Sequence, residues 1–139
     1  MGLIDTEDHD RIYNRKQELS IEIIKDNATK DITKIKMIEE LKNNGHTVAC
    51  YTNSIRKTAH LMLSRIGVID LLELLLTNQD VKRPKPDPEG YEMIIKDLNF
   101  KREDVIIVED SPKGLQAAYS TGCKVLKVKD PSEVNASLF

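Results

Sequence analysis

The sequence is poor in aromatic residues: it has no tryptophan, and only 4% of its 139 residues are Phe, Trp or Tyr. Proteins that bind single-stranded nucleic acid stack the bases on aromatic side chains and present a clustered basic surface. Here 21 Lys and Arg residues are offset by 23 Asp and Glu residues, for a formal net charge of −2. We therefore expect no nucleic-acid partner.

Long apolar runs are also missing. A membrane-spanning helix needs about 18 or more consecutive apolar residues, and the longest apolar stretch, Val68–Leu76, is interrupted by Asp70 and Glu73. The first ten residues are acidic and lack the apolar region of a secretory signal. The sequence therefore predicts a cytoplasmic protein with no membrane partner. We interpret Cys50 and Cys123, which lie in apolar and small-residue surroundings, as buried free thiols, with a disulfide as the alternative.

What the sequence does contain is a regular alternation of helical and strand patterns. Apolar residues recur at helical spacing in five segments and form solid runs in four others. Helices are predicted at about residues 9–26, 31–43, 55–66, 88–98 and 112–121, and strands at about 47–51, 74–77, 105–108 and 124–128. In the last helix we expect Leu115, Ala118 and Tyr119 to face inward. This order predicts an α/β fold with a mostly parallel sheet that helices cover on both faces.

Polar groups follow the predicted strands at the points where ligands bind in such sheets, beyond the carboxyl ends. Thr52 and Asn53 follow the first strand, Glu109 and Asp110 follow the third, and Lys85 lies in a basic, proline-rich loop between them. Adjacent carboxylates suit a hard cation such as Mg²⁺, and a lysine neutralises phosphate charge. Together the three groups have the chemistry that phosphoryl transfer needs.

Each group also has a simpler interpretation when it is taken alone. Thr52 and Asn53 are residue types that begin helices, and Lys85 has the character of an ordinary solvated lysine. Asp87, which precedes Pro88, is interpreted as a helix cap, and Ser111 before Pro112 as another. The functional interpretation depends on the three groups meeting in one place.

Three segments resemble motifs of the haloacid dehalogenase (HAD) superfamily, in its branch of small phosphatases and phosphomutases. Val48–Ser54 is similar to motif II, Lys85–Tyr91 to motif III, and Val105–Gly114 with the helix after it to motif IV. The resemblance covers about residues 31–130. It implies a Rossmann-like, three-layer core at residues 31–139, preceded by a helical segment at residues 1–30 and with a reduced or absent cap domain.

The resemblance also implies a chemistry, which is phosphoryl transfer from a small phosphorylated metabolite through an aspartyl phosphate, with Mg²⁺ as the cofactor. By similarity, Thr52 and Asn53 bind the phosphoryl group, and Lys85 balances charge between the phosphate and the nucleophile. Asp110 ligates Mg²⁺, and Glu109 assists directly or through water. Thr52 and Lys85 are thereby the expected catalytic residues.

The nucleophile motif of the family, a strand that ends in Asp-x-Asp-Gly, is not found in this sequence. Leu3–Glu7 resembles the segment that follows this motif, which would place the nucleophile before Met1. An alternative alignment treats Gly2–Ile4 as the end of a strand and Asp5 as the nucleophile. The acidic residues at positions 8 and 10 are interpreted as a helix start, since acids favour a helix N-terminus.

The missing motif belongs to a strand that lies, in the family, between the strands of motifs II and IV. This chain has three ways to fill that position: direct pairing of the two neighbours, residues 1–5 as a short strand, or a strand borrowed from another chain, including a second copy in a homodimer. The main expectation is therefore a HAD-like phosphohydrolase that is truncated or inactive for lack of its nucleophile. The alternatives are a non-catalytic domain that binds phosphate, Mg²⁺ or a partner, and a gene fragment completed by upstream sequence.

Overall fold

The chain alternates between helices and short strands throughout residues 29–139, which are the residues that the computed structural model describes. The elements follow the predicted order from residue 31 onward. The helices are α1 (Ile32–Asn43), α2 (Arg56–Ile66), α3 (Glu89–Asp97) and α4 (Pro112–Tyr119), and the strands are β1 (Ala49–Tyr51), β2 (Leu74–Leu76), β3 (Ile106–Glu109) and β4 (Lys124–Lys127). The predicted helix at residues 9–26, the candidate nucleophile Asp5 and most of the predicted N-terminal segment lie outside the described residues.

The strands form two parallel pairs. β1 pairs with β2 from Ala49↔Leu74 to Tyr51↔Leu76, and β3 pairs with β4 with Ile106 opposite Lys124. Within residues 29–139 the two pairs are separate sheets, and no ladder joins β1 to β3. The expected parallel α/β fold is confirmed, but direct pairing of the motif II and motif IV strands is wrong for the described part of the chain.

Local cap chemistry explains where the helices begin and end. The Ser111 side chain accepts a hydrogen bond from the Gly114 N–H at 3.1 Å and Pro112 occupies the first turn, as predicted. The Asp87 carboxylate accepts from the Glu89 N–H at 2.9 Å, so α3 starts one residue later than its proline suggests. Helix α2 ends at Gly67, whose φ of 90° is a conformation that favours glycine.

Two apolar clusters hold the helices against the strands. The larger cluster joins α3 and α4 to three of the strands, and the smaller one surrounds α1 and the end of α2. The buried members of the larger cluster are Tyr51, Leu76, Tyr91, Ile95, Ile107, Ala117, Ala118 and Cys123, and those of the smaller are Met37, Ile38 and Val68. The two clusters correspond to the two helical layers of the predicted three-layer core.

The prediction that Tyr119 faces the core is wrong. Tyr119 is 61% exposed, whereas Ala117 and Ala118 are fully buried, because α4 packs its small residues closely against the strands. Both cysteines are free thiols, as predicted, with Cys123 buried and Cys50 half-buried. No helix within residues 29–139 has the length and apolar character to cross a membrane.

Candidate functional site

Lys85 lies at the carboxyl ends of β1 and β3 and joins them. Its side chain is only 9% exposed, and its ammonium donates to the Tyr51 carbonyl at 3.0 Å and to Glu109 Oε1 at 2.5 Å. Tyr51 is the last residue of β1 and Glu109 the last of β3. The structure therefore brings the lysine of the central loop to the rim where both strands end.

Asn53 fixes the loop that carries Lys85. Its side-chain oxygen accepts from the Lys85 backbone N–H at 3.2 Å, and its amide donates to the Lys85 carbonyl at 3.3 Å. These two bonds use both ends of the Asn53 amide on the backbone of a single residue. In this structure Asn53 thus positions Lys85.

Thr52 begins the turn that leads from β1 into α2. Its backbone N–H donates to the Leu76 carbonyl at 3.0 Å, which ties the end of β1 to β2. Its hydroxyl oxygen accepts from the Ser54 N–H at 3.1 Å. No group within residues 29–139 accepts the hydroxyl proton, so Thr52 retains a donor for a ligand at the rim.

Glu109 is a buried carboxylate whose Oε1 has two donors. It is 7% exposed, and Oε1 accepts from the Lys85 ammonium and from the Tyr91 hydroxyl. Its other oxygen faces Gly114, where an added Cβ would collide with the carboxylate. Glycine at position 114 thus makes room for the buried acid, and Lys85 compensates its charge.

Two tyrosines complete the surroundings of Lys85. The Lys85 ammonium lies 4.7 Å from the ring centroid of Tyr51 and 5.2 Å from that of Tyr91, within the range of cation–π attraction. The two rings meet edge to face with their centroids 5.1 Å apart. Sequence reasoning assigned these tyrosines only to strand and core. The available signal was that two of the six Phe and Tyr side chains lie within the segments similar to motifs II and III.

Burial favours the neutral forms of Tyr91 and Cys50 near Lys85. Burial, and then the hydrogen bond to Glu109, raise the pKa of Tyr91 far above its usual range. Tyr91 therefore stays protonated and donates to the carboxylate. Burial likewise raises the pKa of the Cys50 thiol, against the opposing influence of Lys85, so Cys50 is not an activated nucleophile.

Asp110 differs from its neighbour in being exposed. It follows β3 directly and precedes Ser111, which caps α4, and its carboxylate makes no hydrogen bond or ion pair with any other residue in the range 29–139. Nowhere in that range do three His, Cys, Asp or Glu side chains come together as a ready-made metal cage. Asp110 is accordingly the uncommitted acid at this rim.

Comparison with known proteins bears on the family of the chain. The model of the haloacid dehalogenase-like hydrolase family matches residues 3–128. This chain belongs to that family. The three segments that resemble HAD motifs II, III and IV meet around Lys85 in the structure.

Two of the HAD relatives are phosphatases by name. The chain is 34% identical over 88 residues to validoxylamine A 7'-phosphate phosphatase of Streptomyces hygroscopicus subsp. limoneus, covering 63% of this chain and 41% of that protein. It is 29% identical over 112 residues to the phosphorylated carbohydrates phosphatase of Thermotoga maritima, covering 81% of this chain and 50% of that protein. This HAD chain therefore spans half or less of the length of these two relatives.

The fold is shared with solved HAD structures. The crystal structure of β-phosphoglucomutase from Clostridium difficile matches with a TM-score of 0.78, and the match covers 94% of this chain and 59% of that one. The sequence identity is 22%, so this likeness shows the fold alone. It supports the Rossmann-like assignment of the core.

Proposed function

We propose that this HAD-like chain carries the phosphate-binding side of a Mg²⁺-dependent phosphohydrolase that acts on a small phosphorylated metabolite. The observation that carries the proposal is the buried Lys85 ammonium, which bridges the ends of β1 and β3, with Thr52 directly after β1. The phosphatase names of two relatives support the same reaction class. Positioning and charge stabilisation supply most of the catalysis in phosphoryl transfer.

The phosphoryl group would be held by the hydroxyl of Thr52 and the charge of Lys85. Asn53 serves the same site through its two bonds to the Lys85 backbone, which hold the lysine loop against the end of β1. Glu109 keeps the Lys85 ammonium in place at the rim. Glu109 thereby acts through Lys85, and any contact of Glu109 with the metal through water is secondary in this proposal.

Asp110 is the residue that we assign to the metal. Mg²⁺ binds through one or two carboxylates together with substrate phosphate oxygens and keeps several waters, so an exposed, uncommitted Asp110 fits it without a larger cluster. When bound, Mg²⁺ supplies positive charge to the phosphate oxygens. Glu109 already holds Lys85 and Tyr91, which leaves Asp110 as the direct ligand.

The proposed reaction needs a carboxylate nucleophile. Asp5 is the candidate within this sequence, and it lies outside the described residues. In the reaction expected, a carboxylate oxygen attacks phosphorus, and the ester oxygen leaves with the bonding pair and takes up a proton. Water then hydrolyses the acyl phosphate, which releases inorganic phosphate and restores the carboxylate.

The test is hydrolysis of p-nitrophenyl phosphate by the full chain with and without Mg²⁺. We expect turnover that requires the metal and is lost in Asp110→Asn. Asp97→Asn, an exposed acid at the end of α3, is the matched control and should keep wild-type turnover. Equal turnover in Asp110→Asn and wild type would contradict the assignment of the metal ligand.

A second candidate function is phosphate and Mg²⁺ binding without catalysis. It is favoured by one observation: within residues 29–139, the carboxylate beside Lys85 is Glu109, which is buried and already engaged. Isothermal titration calorimetry with inorganic phosphate and Mg²⁺ separates the candidates, since binding without turnover supports the second one. If the folded protein shows no binding and no turnover, both candidate functions are contradicted.

A further inference from the structure

The Lys85 ammonium keeps one donor for a ligand. A lysine ammonium has three N–H donors, and within residues 29–139 one is bound to the Tyr51 carbonyl at 3.0 Å and one to Glu109 Oε1 at 2.5 Å. The rings of Tyr51 and Tyr91 lie beside the same ammonium, with their centroids 4.7 Å and 5.2 Å away. The direction of the third N–H therefore depends on how the other two donors are held.

Glu109 Oε1, which holds one of these donors, is shared with Tyr91. It accepts hydrogen bonds from the Lys85 ammonium and from the Tyr91 hydroxyl. A carboxylate oxygen offers about two lone-pair sites, so these two donors occupy Oε1. Glu109 is 7% exposed and Tyr91 is 8% exposed, which leaves little room for water to replace either donor.

The packing of Tyr91 directs its hydroxyl to this oxygen. Tyr91 is buried in the first turn of α3, and its ring meets the ring of Tyr51 edge to face. Gly90 allows this packing, because a Cβ at position 90 would collide with the Tyr51 ring. The Tyr91 ring cannot turn away from Glu109 without losing these contacts, so its hydroxyl is a fixed donor.

The Tyr91 hydroxyl acts on a ligand only through Glu109 and Lys85, since it is buried and donates to the carboxylate. A buried carboxylate attracts its donors strongly, because water does not screen its charge. With the Tyr91 hydroxyl present, Oε1 is held between two donors. Without it, Lys85 would be the sole donor to Oε1 within residues 29–139, and the ammonium would turn toward the carboxylate and away from a ligand.

We propose that Tyr91 is a positioning residue for phosphate binding, whose hydroxyl shares Glu109 Oε1 with Lys85 and so keeps the third N–H of the ammonium available to the phosphate. The inference rests on the proposed function, because it requires that Lys85 bind the phosphoryl group. It adds a second role to Tyr91, whose ring already packs in the core.

The test is isothermal titration calorimetry of the full chain with inorganic phosphate in the presence of Mg²⁺. Tyr91→Phe removes only the hydroxyl and keeps the ring contacts, and we expect it to weaken phosphate binding by about tenfold. Tyr119→Phe is the matched control, since Tyr119 is 61% exposed at the end of α4, and it should bind phosphate as wild type does. Circular dichroism verifies that both variants fold.

A second measurement separates positioning from packing. Glu109→Gln removes the charge that Tyr91 shares with Lys85, so in that background Tyr91→Phe should change the phosphate affinity by less than about twofold. The ¹⁵N resonance of the Lys85 ammonium, recorded without phosphate, gives the same comparison in the free protein. Tyr91→Phe should shift this resonance, whereas Tyr119→Phe should leave it unchanged.

The outcomes distinguish this inference from the proposed function. Equal phosphate affinity of Tyr91→Phe and wild type, or an unchanged Lys85 resonance, would overturn the role of Tyr91 and leave the proposed function standing. An equal loss of affinity in the Glu109→Gln background would also overturn it, because Tyr91 would then act without the carboxylate. Absence of phosphate binding by the folded wild type would contradict the proposed function itself, and this inference with it.

Discussion

Removal of the Lys85 ammonium should destabilise the protein through the acid that it leaves behind. In Lys85→Met the Glu109 carboxylate, 7% exposed, would remain buried without its counter-charge and with only the Tyr91 hydroxyl as a donor. Breaking a buried ion pair from one side costs about 3–5 kcal/mol. With a urea slope of about 2 kcal/mol per molar, the unfolding midpoint should fall by roughly 2 M.

The measurement is urea unfolding followed by circular dichroism, and the chain provides a control and a rescue. The Arg102–Glu92 pair has a similar separation of 2.6 Å but is exposed, at 49% and 37%. Glu92→Gln should therefore leave the midpoint unchanged. The double variant Lys85→Met/Glu109→Gln removes both charges and should recover much of the loss. The reasoning is refuted if Lys85→Met unfolds at the wild-type midpoint, or if the double variant is less stable than Lys85→Met.

Three further predictions follow from single contacts. Gly114→Ala forces a methyl group against the Glu109 carboxylate and should lower the free energy of unfolding, measured by urea titration, by about 1–3 kcal/mol. An unchanged urea midpoint would contradict the close packing of Glu109 against position 114. Burial raises the pKa of Asp80, but hydrogen bonds from Thr77 lower it overall. The ionised Asp80 therefore stabilises the fold above the pKa of the unfolded state, and this stabilisation is lost as the pH falls through the pKa of the folded state. The difference in unfolding free energy between wild type and Asp80→Asn should shrink on acidification, and a constant difference would argue against this reasoning. Thr52→Val removes the hydroxyl and should reduce the rate of p-nitrophenyl phosphate hydrolysis by about 10²-fold, whereas Thr52→Ser should retain most of the activity. Equal activity of the Val and Ser variants would exclude a role for the hydroxyl.

Features that depend on a few neighbouring residues were predictable from sequence. Ser111 caps α4 through Gly114, three residues away, and Gly67 ends α2 with a positive φ. The solid apolar runs at residues 49–51 and 106–108 form strands, as such runs indicate in a parallel sheet. In each case the interacting groups lie within the same segment or share one pattern.

Features that depend on how elements pack were not predictable. Tyr119 has a helical spacing that suits the core, yet α4 turns its alanines inward because small residues allow the closest approach to β3 and β4. The pairing of strands depends on which edges meet in space, and in residues 29–139 the apolar character of β1 and β3 does not lead to direct pairing between them.

At the site, the residue types at the strand ends pointed to phosphate chemistry, but not to the contacts of each side chain. The sequence placed Glu109 and Asp110 together as acids after a strand. Only the structure separates a buried Glu109, engaged by Lys85 and Tyr91, from an exposed Asp110. Their side chains alternate across the strand end, so adjacent acids meet different surroundings.

Local sequence patterns were enough to predict the order of the elements, most of their ends and the polar residues at the strand termini, because these depend on local hydrogen bonding and on the periodicity of apolar residues. Tertiary packing determines which of these residues are buried, which donor each one uses and, within residues 29–139, that β1 and β3 belong to separate sheets. These properties depend on distances between residues remote in the chain, such as Lys85 and Glu109. Burial in that tertiary environment is what makes their charges matter, because water no longer screens them.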